Sequence, residues 1–137
     1  MTPREMSEYL KTRIASVRDD PSISATVKTY ARAGLLPLFD DLAYAYYLAP
    51  DGAVHVTDAL APEAGLRALT DEGERVRVLR AAADDDPLLL GLLPARPEGF
   101  EDCASCGGSG RADAGNVTYP SARTICSSCA GLGWLPR

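Results

Sequence analysis

The chain has 137 residues, which suits one ordinary domain, or a domain of about 100 residues with a small appendage. Its hydrophobic share of 46%, charged share of 24% and formal net charge of −5 are those of a soluble globular protein. No apolar run approaches the roughly 20 residues of a membrane-spanning helix. The opening MTPREMSEYLKTR lacks the apolar core of a signal peptide, so a cytoplasmic protein is expected, with no membrane partner.

Charge is distributed unevenly. Residues 1–100 hold 11 Lys/Arg against 16 Asp/Glu, whereas 103–137 hold Arg111, Arg123 and Arg137 against Asp113. Three scattered arginines are not the dense basic stripe of a nucleic-acid binder, so nucleic acid is not the expected partner. Arginine outnumbers lysine 12 to 2, which points to a GC-rich bacterial genome.

TPRE at the start places Thr2 as N-cap, Pro3 at the first helical position and Glu5 in a capping box. Met6, Leu10, Ile14 and Val17 then recur at helical spacing. DDP at 19–21 ends this helix and predicts a second, with Asp20 as cap and Pro21 at its first position. Its apolar face is Ile23, Val27, Tyr30 and Ala31, and Gly34 closes it. The period then changes. Residues 42–58, LAYAYYLAPDGAVHVTD, predict two strands joined at PDG, with Tyr44 and Tyr46 on one face and Ala45 and Tyr47 on the other. Val54 and Val56 share a face of the second strand, with His55 opposite. A third helix follows, capped by Asp71 with Glu74 and striped with Val76, Leu79, Ala82 and Ala83; Asp86 and Pro87 start a brief last helical segment. PARPEGFED at 94–102 reads as a boundary. The expected division is an α+β domain at 1–95, a linker at 96–102 and a C-terminal module at 103–137.

That module holds all four cysteines. Cys103, Cys106, Cys126 and Cys129 form C-x2-C-x19-C-x2-C, a spacing typical of zinc sites. Two thiolates separated by two residues can point inward from one tight turn, and two such turns complete a tetrahedron around one ion. The glycines after each pair let the backbone close behind the second cysteine, and Trp134 is placed to cover a small hydrophobic face. A redox pair and structural disulfides are the competing states. The redox reading lacks a thioredoxin-like βαβ context, and disulfides do not suit a reducing compartment. Four cysteine donors leave no open position, so the expected Zn2+ is single and structural.

CASCGGSG and CSSCAGLG both match C-x-x-C-x-G-x-G, and the pair resembles the DnaJ-type cysteine-rich zinc domain. The resemblance covers about 30 residues. It implies Cys103, Cys106, Cys126 and Cys129 as ligands, with Gly108, Gly110, Gly131 and Gly133 as turn glycines. That family binds two zinc ions with four repeats; two repeats here imply one. The J domain's His-Pro-Asp is absent, since His55 is followed by Val56 and Thr57. The resemblance is therefore to a zinc module alone.

Other candidates have plainer readings. His55 has no nucleophile or acid beside it in sequence. Asp84, Asp85 and Asp86 suit capping and solvation at a helix end, and Asp40 and Asp41 a solvated turn. Tyr30, Phe39, Tyr44, Tyr46 and Tyr47 suit core packing, with one face available for a partner. The sequence thus predicts an α+β fold, with N-terminal helices on a small antiparallel sheet and a four-cysteine, zinc-stabilised β-hairpin tail. The function expected is that of a non-enzymatic protein-binding or accessory protein. A nucleic-acid-binding zinc protein and a thiol–disulfide redox protein are the alternatives.

Overall fold

The computed structural model describes residues 1–41, 43–58, 65–111 and 125–137. Asp113 and Arg123, counted above in the charge of the tail, lie outside them. The fold is α+β, and the chain divides into two compact units, Met1–Leu69 and Thr70–Arg137.

The first unit opens with helix α1, Pro3–Asp19, whose start follows the predicted capping box: Thr2 Oγ1 accepts from the Glu5 amide and Glu5 Oε1 accepts from the Thr2 amide, both at 3.1 Å. Met6, Leu10 and Ile14 form its buried stripe. Helix α2, Ala25–Arg32, starts later than predicted. Its N-cap is Ser24, which accepts from the Val27 amide, whereas Asp20 turns back to accept from the Ser22 amide and hydroxyl. An aspartate can hold its own local turn as readily as it caps a helix. Ile23 accordingly precedes the helix.

A four-stranded antiparallel sheet follows in the order β1 (Leu36–Asp41), β2 (Tyr44–Leu48), β3 (Val54–Asp58), β4 (Leu66–Ala68). The β2–β3 hairpin turns at PDG as predicted. Gly52 donates to the Ala49 carbonyl at φ +92°, and Asp51 accepts from the Ala53 amide. The edge strands β1 and β4 are additions to the sequence reading. Pro37 lies in β1, where an edge tolerates the missing donor, and the register shifts between Pro37 and Phe39. Leu35, Ala45 and Tyr47 make a buried cluster with Tyr30, Ala49 and Leu66 packed against it. Tyr30 and Tyr47 rings stand 4.5 Å apart, and Phe39 and Tyr46, cross-strand neighbours, 5.0 Å. Burial pushes the Tyr47 phenol up to about 12. These aromatics therefore pack chiefly as core; Tyr44 is the exposed one.

The second unit begins with helix α3, Glu72–Ala82, whose N-cap Asp71 accepts from the Glu74 amide. A 3-10 helix spans Pro87–Leu92, its start held by Asp86 accepting from the Leu88 amide. Strands β5 (Phe100–Asp102) and β6 (Trp134–Pro136) then pair antiparallel, and the two cysteine turns lie between them. The sequence reading drew its boundary at 96–102. In the structure the compact units part after Leu69, and the last three residues of that stretch are β5.

Candidate metal centre

The two cysteine motifs fold into one backbone shape, repeated. In the first, the Cys103 carbonyl accepts from the Gly108 amide and the Cys106 carbonyl from the Ser109 amide. In the second, Cys126 accepts from Gly131 and Cys129 from Leu132. The last glycine of each motif points its amide at a sulfur: Gly110 to Cys106 Sγ and Gly133 to Cys129 Sγ, both at 3.2 Å. The two turns also clasp each other. Cys103 donates its amide to the Gly133 carbonyl at 2.9 Å, and Cys126 donates to the Gly110 carbonyl at 3.1 Å. Ser105 and Ser128, equivalent positions, share a hydrogen bond at 2.9 Å.

Two glycine positions in each repeat require their glycine. Gly108 and Gly131 stand at φ +89° and +87°, Gly110 and Gly133 at +74° and +87°. At the last position space is closed as well. A Cβ on Gly133 would sit 2.6 Å from the Gly108 carbonyl oxygen, and one on Gly110 would strike the Gly131 carbonyl oxygen. The position before them is less demanding: Gly107 has open space, and its counterpart is Ala130 at φ +53°.

These turns bring four sulfurs together, all within 4.8 Å of one another. Cys103 to Cys126 is 3.9 Å and Cys106 to Cys129 is 3.8 Å, and all four are free cysteines. A tetrahedron with metal–sulfur bonds of about 2.3 Å has edges of about 3.8 Å, so the donor set fits one ion of that size. Cys103, Cys126 and Cys129 are buried and Cys106 is partly so, with Leu135 packed against the group.

Electrostatics sets the sulfurs apart. At Cys106 burial pushes the thiol up, but the amides of Gly110 and Gly108 and the Cys103 and Cys129 sulfurs together bring it down to about 6. At Cys129 burial prevails over the Gly133 and Gly131 amides, and with the adjacent Cys126 and Cys106 it pushes the thiol up to about 11. The Cys129 amide leads in drawing Cys126 down. Four thiolates this close repel one another, so a bound cation or retained protons must neutralise the set.

Helix α3 supplies what sequence reasoning missed. Arg80 is only 7% exposed, donates Nε–H to the Leu132 carbonyl at 2.8 Å, and places its guanidinium carbon 5.0 Å from the Trp134 ring centroid. Trp134 is itself buried at the start of β6. Arg111, at the end of the first turn, reaches back to Asp84 at 2.6 Å. Nothing local marks Arg80: it sits beside the predicted stripe, next to Leu79, and only its distant partners explain its burial.

The remaining sequence candidates do not assemble into a site. His55 is half-buried in β3 opposite Tyr47 and Ala68. Asp84 pairs with Arg111, Asp86 caps the 3-10 helix, and Asp40 and Asp41 end β1 as exposed residues. Among the described residues, the four cysteines are the one group of metal-ligating side chains, and no helix is long and apolar enough to cross a membrane.

Fold and site together define an α+β protein with a four-cysteine cluster able to hold a metal ion. Compared with protein-family models, curated proteins and solved structures, the chain matches none.

Proposed function

We propose that the cluster binds one structural Zn2+ through Cys103, Cys106, Cys126 and Cys129, in a module of the DnaJ-type cysteine-rich kind. On this reading the whole chain is a non-enzymatic, cytoplasmic, bacterial accessory protein that binds another protein. The observation that carries the zinc reading is the sulfur geometry, with edges of 3.8 and 3.9 Å and an amide donated to Cys106 and to Cys129. Four protein donors fill a tetrahedral ion's coordination, which suits a structural and not a catalytic metal. A reducing compartment keeps such thiols available.

The surface supports a protein partner over nucleic acid. In the second unit Arg80 is buried, and Arg75, Arg96 and Arg111 are paired with Glu72, Asp102 and Asp84, which argues against a basic stripe among its described residues. The same unit exposes Leu88, Leu90 and Ile125 to roughly half of their area, at 47%, 46% and 50%.

The test is metal analysis of protein purified under reducing conditions, beside Cys106→Ser. One Zn2+ per wild-type chain and a large loss in the variant are expected; metal-free wild type overturns the zinc reading. Affinity capture from a bacterial lysate with both proteins tests the partner. A protein recovered by wild type and lost with Cys106→Ser supports the role. Recovery of nucleic acid that falls steeply with salt would replace it.

A further inference from the structure

A buried guanidinium needs a countercharge, and among the described residues Arg80 has no carboxylate paired with it to supply one. Taking an arginine out of water is strongly unfavourable unless opposite charge faces it. Among the described residues no acid lies within ion-pair distance of Arg80. Asp102 pairs with Arg96 at 3.3 Å, Asp84 with Arg111, and Glu72 with Arg75. The groups in contact with Arg80 are instead the Leu132 carbonyl and the Trp134 ring, and the ionisable groups whose charge favours its own are Cys106 and Cys129, followed by Asp102.

Its position is as specific as its charge. A Cβ on Gly110 would lie 2.8 Å from Arg80 Cδ, and one on Gly133 would lie 2.6 Å from Arg80 Cζ. The side chain thus runs across the equivalent glycine of both turns. Those two glycines are the residues whose amides point at Cys106 and Cys129. One arginine therefore lies against both glycines whose amides point at sulfur, which places a positive charge beside both turns.

A divalent ion on four thiolates carries a formal charge of about −2. We infer that Arg80 is the countercharge of this centre, a positioning residue through which α3 sets how tightly the four cysteines hold their ion. The inference rests on the metal reading given above. It goes beyond the cysteine motif, because the residue lies 23 positions before the first ligand, on a helix that contains no cysteine. By linkage, whatever Arg80 adds to ion affinity the ion returns to the docking of α3.

The test compares the full-length wild type with Arg80→Lys and Arg80→Met, under reducing conditions, by competition for Zn2+ with a chromophoric chelator. Lysine and methionine have similar reach, and both lose the Nε–H bond and the planar stacking; only lysine keeps the charge. Loss of a group supporting metal ligands weakens binding by about 10–100-fold, and that is the loss expected of Arg80→Met. Arg80→Lys should bind about tenfold or more tightly than Arg80→Met. A smaller gap, however impaired the two variants are, assigns Arg80 to packing and overturns the inference. Wild-type protein that takes up no zinc overturns the metal reading and this one together. Equal variants beside a zinc-binding wild type overturn this one alone.

Discussion

Gly133 and Gly99 offer a controlled comparison, because both lie in the second unit with nearly the same backbone angle, φ +87° and +85°. Replacing either by alanine forces a Cβ into the left-handed region at about 1–2 kcal/mol. At Gly99 that is the whole effect, since nothing lies within 4 Å of the new atom. At Gly133 the new atom meets the Gly108 carbonyl at 2.6 Å and the Arg80 guanidinium at 2.6–2.8 Å, so the turn must move. Overpacking of this kind costs about 1–3 kcal/mol. Moving the turn also weakens two hydrogen bonds, Gly133 to Cys129 Sγ at 3.2 Å and Cys103 to the Gly133 carbonyl at 2.9 Å. Each is worth about 1 kcal/mol.

Gly133→Ala should therefore cost about 2–4 kcal/mol more than Gly99→Ala. Where ion binding and folding of the unit are linked, that difference reads as about 30- to 700-fold weaker apparent zinc affinity. Competition with a chromophoric chelator measures it directly, and urea unfolding of the zinc-loaded proteins followed by circular dichroism provides the independent check. Equal losses in the two variants would refute the reasoning: the clasp between the turns would then contribute nothing beyond backbone strain.

Two further outcomes follow from the same structure. Chelating the metal under reducing conditions should speed amide exchange at Val76–Ala82 of α3 and expose Trp134, the single tryptophan, as a red shift in fluorescence, while amides of Met6–Ile14 in α1 keep their protection; unchanged exchange in α3 would contradict the tie through Arg80. Thr2→Ala should lower the stability of the first unit by about 1 kcal/mol through loss of the cap. Hydrogen bonds from Thr2 hold the Glu5 carboxyl below its ordinary value of 4.5, so this part of the stabilisation is complete above that value and lost as pH falls through the lower folded one. The difference between Glu5→Gln and wild type in urea midpoints should accordingly shrink in acid, because the carboxylate that accepts from the Thr2 amide is then protonated in wild type; a gap that widens as pH falls would reverse the sign of the argument.

Features set by neighbours in sequence were legible, and features set by distant partners were not. Thr2 and Glu5 face each other three residues apart, PDG closes its own turn, and each cysteine pair folds around its own glycines. Asp20 shows the limit of such local reading. Two caps competed within five residues, and the Ser22 hydroxyl and amide drew Asp20 away while Ser24 took the helix. Strand β1 carries Pro37 and ends on two acids, so its identity depends on the ladder with β2. Strand β4 is three residues long and gains its definition from β3. For the candidate site the four sulfurs were readable as donors from spacing alone. Arg80 was not, because a charged residue beside an apolar stripe normally reaches water, and here Leu132, 52 residues away, takes its hydrogen bond.

This separation bears on what an ion at the cysteines would hold together. The ligands occupy two short turns whose amides, carbonyls and glycines match position by position, an arrangement that would be complete in about 30 residues. Arg80 breaks the match. It donates to the Leu132 carbonyl in the second turn, while the equivalent Ser109 in the first turn uses its own hydroxyl to bond the Cys106 carbonyl at 2.9 Å. Arg111 then carries the first turn back to Asp84, just beyond the end of α3. Each turn is thus tied to the helix region by a different arginine, one buried and one partly buried. An ion held at a centre fastened in this way would order more than its own loops: its reach would extend through Arg80 and Arg111 to the α3 region, a stretch with no ligand in it, which the 3-10 helix with the exposed Leu88 and Leu90 follows.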